Sequence, residues 1–229
     1  MILSQNNKLD KSNKVGYNSF GIHFAPHKLS GKNVCPSASL GCIQSCLNTA
    51  GLGIMSNVQK ARINKTKLFF DDKKNFILNL AKEIKSKVKS NEKKNLKSSF
   101  RLNLTSDVAW ETVRINGKNI MEMFPDQQFY DYTKSLPRMM KYLTGKMPKN
   151  YHLTFSRSES NQTSCDIVLG CGGNVAMVFD KVLPKTYMGK KVINADEHDL
   201  RFLDPKGVIC GLAAKGKAKK DDSGFVIIP

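Results

Sequence analysis

Short runs in which apolar residues stand together or alternate with polar ones recur along the chain, at 17–24, 99–104, 128–132, 151–155, 174–179, 191–194, 207–213 and 225–228. Their lengths and period are those of strands. Most are separated by polar stretches and by segments able to form helices, which predicts βαβ units and a mainly parallel sheet. The expected fold class is therefore α/β, built as a partial or full (β/α) barrel or as an open doubly wound sheet. The clearest helix is predicted at 71–90, where Ile77, Leu80, Ala81, Ile84 and Val88 form one apolar stripe. Lys73, Lys74, Lys82, Lys85, Lys87 and Lys89 occupy its other faces. Asp71 and Asp72 favour its N-terminus through the helix dipole, and the polar run 90–97 reads as the loop that ends it.

A chain of 229 residues with 40% hydrophobic content supports one well-buried core, so residues 1–229 are expected to form a single domain, with 1–14 as a flexible N-terminal segment. No run approaches the roughly 18 consecutive apolar residues of a membrane span. The polar start, Ser4 to Asn7, lacks the order of a secretory signal. These features predict a soluble, cytoplasmic protein without membrane partners.

The formal net charge is +18. Residues 56–97 carry thirteen Lys or Arg against Asp71, Asp72, Glu83 and Glu92. Such a field attracts nucleic acid through its phosphates. The competing reading is a solvated helix face in a chain rich in Lys, Asn and Ile; no exposed aromatics interleave the basic residues as a single-strand stacking platform would need.

Six cysteines are too few for a disulfide scaffold of this size and direct attention to metal ligation. Cys35, Cys42 and Cys46 form a C-x6-C-x3-C pattern after the first predicted strand. Gly31, Pro36 and Gly41 let that loop fold back on itself. Soft thiolates suit zinc or an iron-sulfur cluster, and three nearby ligands favour a centre with an open position over a closed zinc site. Ordinary buried thiols are the third possibility. Cys171, and behind it Cys165, are candidates for a fourth ligand, whereas Cys210 lies in an apolar run and reads as core. His23 alternates with Ile22 and Phe24 in the first predicted strand, His27 lies close to the cysteine loop, His152 reads as a strand residue, and His198 is a candidate proton carrier.

Polar residues gather where four of the strands should end, where loops of parallel α/β proteins bind ligands. Asn103, Thr105, Ser106 and Asp107 follow one run, and Asp131, Thr133 and Lys134 another. Ser156, Arg157 and Glu159 follow a third, with Asp196, His198, Asp199 and Arg201 at a fourth. Singly each reads as a turn or cap; jointly they predict a site. Asp107, Asp131, Lys134, Arg157, Asp196 and Asp199 are the candidate catalytic groups, and Asn103, Ser106, Ser156, Arg201 and Lys215 the candidate cofactor-binding groups.

Several strings resemble an uncharacterised phage family, gene product eighty-eight: Cys35-Pro36 through Cys46-Leu47-Asn48, Arg101 to Asp107 with Trp110-Glu111, Phe129 to Lys134, Tyr151 to Arg157, and Asp196 to Phe202. That resemblance implies a phage-encoded protein acting in the host cell and brings no established activity. The cysteine loop is more distantly similar to that of radical S-adenosylmethionine enzymes, where three cysteines after the first barrel strand hold a four-iron cluster. Their usual spacing is C-x3-C-x2-C, from which this loop departs. This similarity implies a [4Fe-4S] cluster, S-adenosylmethionine as cofactor, and an iron-sulfur enzyme of that type. The alternative from another class is a nucleic-acid-binding protein with structural zinc. A metal-free hydrolase or transferase ranks third, because no nucleophile elbow, phosphate loop or metal-binding histidine pair is present.

Overall fold

The computed structural model describes residues 1–229, and all eight apolar runs contain strands. In chain order the first half holds α1 (Asn7–Asp10), β1 (Tyr17–Gly21), α2 (Leu40–Gln44), α3 (Ser56–Asp71), α4 (Lys73–Glu92), β2 (Lys97–Arg101), β3 (Arg114–Ile115), β4 (Lys118–Asn119) and α5 (Ile120–Met123). The second half holds β5 (Gln128–Thr133), α6 (Leu136–Leu143), β6 (Tyr151–Ser156), α7 (Gln162–Gly170), β7 (Val175–Phe179), β8 (Thr186–Tyr187), β9 (Lys190–Asn194), β10 (Ile209–Ala213) and β11 (Val226–Ile227).

Nine strands form one sheet in the order β1-β2-β5-β6-β7-β10-β9-β8, with β11 paired to β7, while β3 and β4 make a separate hairpin. Within the large sheet only the β8–β9 pair is antiparallel. The sheet stays open, so the full barrel expected as one possibility is not formed. Its ends are occupied: the β8–β9 hairpin forms one edge, and at the other Ser4 exchanges backbone hydrogen bonds with Gly21 of β1. Capping an edge satisfies its backbone groups without closure.

From β1 to β7 the long strands add in sequence order and in one direction, and right-handed crossovers then place the connecting helices on a single face. Strand alternation matches this. Phe20, Ile22, Phe100, Leu102, Phe129, Leu153, Phe155, Val175, Met177 and Ile209 join a cluster of 29 buried residues with Phe76, Ile77, Leu80 and Ile84 of α4, Met139 of α6 and Val168 of α7. The opposite face is more polar. Ser19 and Ser99 share a hydrogen bond at 2.6 Å, and the Arg101 guanidinium lies 4.4 Å from the Tyr132 ring centre.

The first residues of the chain, the segment expected to be flexible, pack against both sides: Lys8 reaches Asp199 at 2.9 Å on the polar face, whereas Ile2 and Leu3 join the helix-side cluster. Ile2, Leu3, Leu9 and Ser12 are buried, and Glu83 of α4 accepts hydrogen bonds from the Ile2 and Leu3 amides at 2.7 and 2.9 Å. Apolar spacing too short to show a period explains why the sequence does not reveal this packing. The predicted helix 71–90 is α4, shifted by two residues: Asp72 is its N-cap, its side chain accepting from the Asn75 amide at 3.2 Å. No helix is long and apolar enough to cross a membrane.

Candidate functional site

A cavity of about 250 Å³ opens beyond the carboxyl ends of the central strands. Cys35, Cys42 and Cys46 line it together with Asn103, Ser106, Asp107, Lys134, Ser156, Asp196 and Lys215. Ten residues singled out from separate parts of the sequence thus meet around one space.

The cysteine loop is held from several directions. Asn33 Oδ1 accepts from the Cys35 amide at 2.9 Å, and the Val34 carbonyl accepts from the Asp107 amide at 2.7 Å, tying the loop to the end of β2. The His27 amide donates to Cys35 Sγ at 3.3 Å. Ser39 caps α2, its Oγ accepting from the Cys42 amide, and Glu159 accepts from Ser39 Oγ at 2.7 Å and from the Gly41 amide at 2.8 Å. Gly41 is needed there because a Cβ would run into Ser223 Oγ, Glu159 and Phe225.

Burial pushes the Cys35 thiol up to about 11, against the His27 amide, and the neighbouring Cys46 and Cys42 thiols add to the rise. Burial also raises Cys46, where the Asn48 amide, Arg62 and Lys134 pull the other way. The three thiols therefore lie in one another's fields. No group of three His, Cys, Asp or Glu side chains forms a ready-made site for a metal ion.

On the wall facing the loop, Asp107 accepts from the Lys134 amide at 3.0 Å, Thr133 Oγ1 at 3.2 Å, and Arg138 Nη1. Arg138 is shared: its Nε and Nη2 meet Glu111 as a fork at 2.8 and 2.9 Å, and Nη2 reaches the Tyr151 hydroxyl at 3.1 Å. Lys134 has no carboxylate partner. Its Nζ donates to Ser156 Oγ at 2.7 Å and lies 5.5 Å from the centre of the Phe225 ring. Lys215 pairs with Asp196, which also accepts from the Ala213 amide at 2.9 Å. Asn103 is spent on the fold, its Oδ1 accepting from Ser106 Oγ, the Val108 amide and Trp110 Nε1.

Four expected site residues lie elsewhere. Asp131 is buried on the helix-facing side of the sheet, taking hydrogen bonds from the Asn103 amide at 2.7 Å and the Tyr151 hydroxyl at 2.9 Å. Burial raises its carboxyl to about 7, although these donors and Arg101 and Arg138 pull the other way. Asp199 is fully buried and pairs with Lys8 at 2.9 Å and Arg101 at 2.7 Å. Arg201 pairs with Asp204 at 3.2 Å in the interior. Arg157 turns away to donate to the Gly224 and Phe225 carbonyls. Asp199 and Arg201 are claimed by ion pairs and Arg157 by backbone carbonyls, while Asp131 lies within β5 and is held by the Asn103 amide and the Tyr151 hydroxyl.

The candidate fourth thiols fare likewise. Cys171 is exposed at the end of α7, Cys165 is buried on that helix, and neither lines the cavity. Cys210 is buried in β10, as its apolar run predicts. No histidine lines the cavity; His152 bonds the Tyr142 hydroxyl at 2.8 Å, and His198 Nδ1 accepts from the Leu200 amide. The sequence reading missed Lys8, Arg101 and Tyr132, which also line the cavity. Arg101 and Tyr132 alternate with core residues in β2 and β5, and that period is the signal that finds them.

No curated protein matches the chain, and no solved structure matches it. A family model described as gene product 88 matches residues 1–228. On that match, the chain belongs to the gene product 88 family.

Proposed function

We propose that the protein is an iron-sulfur enzyme in which Cys35, Cys42 and Cys46 hold one cluster at the mouth of the cavity. The observation that carries this reading is the meeting of all three loop thiols with Lys134, Ser156, Asp196 and Lys215 around a single space. The donor set fits: thiolates are the ligands of iron-sulfur clusters, and three of them leave a position for a second ligand. In the finer form of the proposal the cluster is [4Fe-4S] and the second ligand is S-adenosylmethionine. A bound cluster would supply one-electron chemistry.

The chain's own side chains have definable work. Lys134 and Lys215 offer ammonium groups to a carboxylate or phosphate of the ligand, and Ser156 offers a hydroxyl. Asp107, held in place by Arg138, is the wall carboxylate placed to orient an amine of the ligand. Glu159 and Ser39 fix the segment between Cys35 and Cys42, so the ligands are presented by a held loop.

The test is anaerobic purification followed by visible spectroscopy and calorimetric titration with S-adenosylmethionine. A brown protein with broad visible absorption that binds S-adenosylmethionine supports the proposal. A colourless protein with stoichiometric zinc replaces it with the structural-zinc reading. A cluster without binding retains the centre and removes the S-adenosylmethionine step.

A further inference from the structure

Away from the cavity, the outer surface of α3 and α4 carries an unbalanced positive field. Lys60, Lys67, Lys73, Lys74, Lys82, Lys85, Lys89 and Lys93 are all exposed, and none takes part in an ion pair. Two of the four acids of this region are committed to the fold, Asp72 as the cap of α4 and Glu83 by holding the first amides of the chain, which leaves only Asp71 and Glu92 exposed against these eight lysines. Lys82, Lys85 and Lys89 of α4 and Lys93 at its C-cap follow one another at spacings of three and four, which places them on one face. With Lys74 the row spans about 28 Å at the rise of an α-helix.

We propose that this face binds the phosphate backbone of a nucleic-acid duplex without reading its sequence. A row of unpaired ammonium groups matches closely spaced phosphates, whose counterions are released on contact. An anionic membrane fits less well, because the apolar face a surface helix would insert is already spent: Phe76, Ile77, Leu80 and Ile84 are buried in the core. A single strand fits less well too, since Phe69 and Phe76 are buried and offer no stacking platform. The inference is independent of what the cysteines hold.

The experiment measures fluorescence anisotropy of a labelled twenty-base-pair duplex with the full chain from 50 to 200 mM salt. A variant with Lys82, Lys85, Lys89 and Lys93 changed to Gln is compared with one carrying Lys217→Gln, Lys219→Gln and Lys220→Gln. The wild type should show a steep fall of affinity with salt. The α4 variant should lose roughly 3 to 4 from the log–log slope and at least about tenfold in affinity, at about 0.9 per phosphate contact. The control should keep the wild-type slope, and Arg at the same four α4 positions should restore it. Absence of duplex binding at 50 mM salt overturns the inference. So does equal loss in both Gln variants, which would mean net charge alone, or binding to phosphatidylserine vesicles with none to the duplex.

Discussion

Glu159 and Gly41, 118 positions apart in sequence, are joined by a hydrogen bond of 2.8 Å from the Gly41 amide to the Glu159 carboxylate, and this contact anchors the middle of the cysteine loop. The same carboxylate holds Ser39 Oγ, the cap of α2. Burial works against its charge, but the Ser39 and Gly41 donors outweigh it and hold the carboxyl below its ordinary value.

Glu159→Ala should therefore loosen the loop while leaving the sheet intact. Hydrogen bonds to a charged group contribute about 1.5 to 3 kcal/mol when well shielded, and partial exposure brings the expected loss to about 1 kcal/mol. Urea denaturation checks the stability, and proteolysis within residues 31–46 should accelerate. Unchanged loop cleavage would contradict the anchoring role.

Arg138 joins two carboxylates at the cavity wall, the fork to Glu111 and the contact to Asp107. Arg138→Met should cost about 3 kcal/mol, because two largely buried carboxylates lose their counter-charge. Arg138→Lys should recover only a minor part, since an ammonium group cannot make the fork. Equilibrium unfolding of the two variants measures this; full recovery by Lys would show that charge alone suffices.

Asp199 gives a pH dependence with a definite sign. Burial alone would raise its carboxyl, but Arg101 and Lys8 hold it well below the usual range. A depressed folded value means that the stabilisation is complete above the unfolded value of about 3.9 and is lost as pH falls through the folded one. Asp199→Asn should thus cost about 3 kcal/mol at pH 7. Its deficit relative to wild type should shrink as both are titrated toward pH 2, as followed by urea midpoints at each pH.

Much of the fold was legible because strands that are buried on one or both faces must show apolar runs. Thus the run at 151–155 became β6, Tyr151–Ser156, and the run at 128–132 became β5, Gln128–Thr133. Helix α3 left no such trace: its inward positions include Arg62 and Thr66 beside Phe69, so the helical spacing exists but is not apolar. Barrel closure was not legible either, since parallel strands in sequence order suit both open and closed sheets. Within the site, strand ends were readable as a class, which located Asp107, Lys134 and Asp196. Burial decided the rest. Asp131 and Tyr132 are neighbours in β5 but point to opposite faces, so the carboxylate enters the helix-side core and the phenol ring reaches the cavity.

The central claim is that three thiols share one inorganic centre. Its most direct measurement is iron, acid-labile sulfide and zinc per chain after anaerobic purification, for the wild type, for Cys35→Ala, Cys42→Ala and Cys46→Ala, and for Cys171→Ala as a control. The account predicts iron and sulfide together in the wild type and the Cys171 variant, with strong loss in each loop variant. Iron and sulfide absent from the wild type, or retained when the loop cysteines are removed, would contradict it.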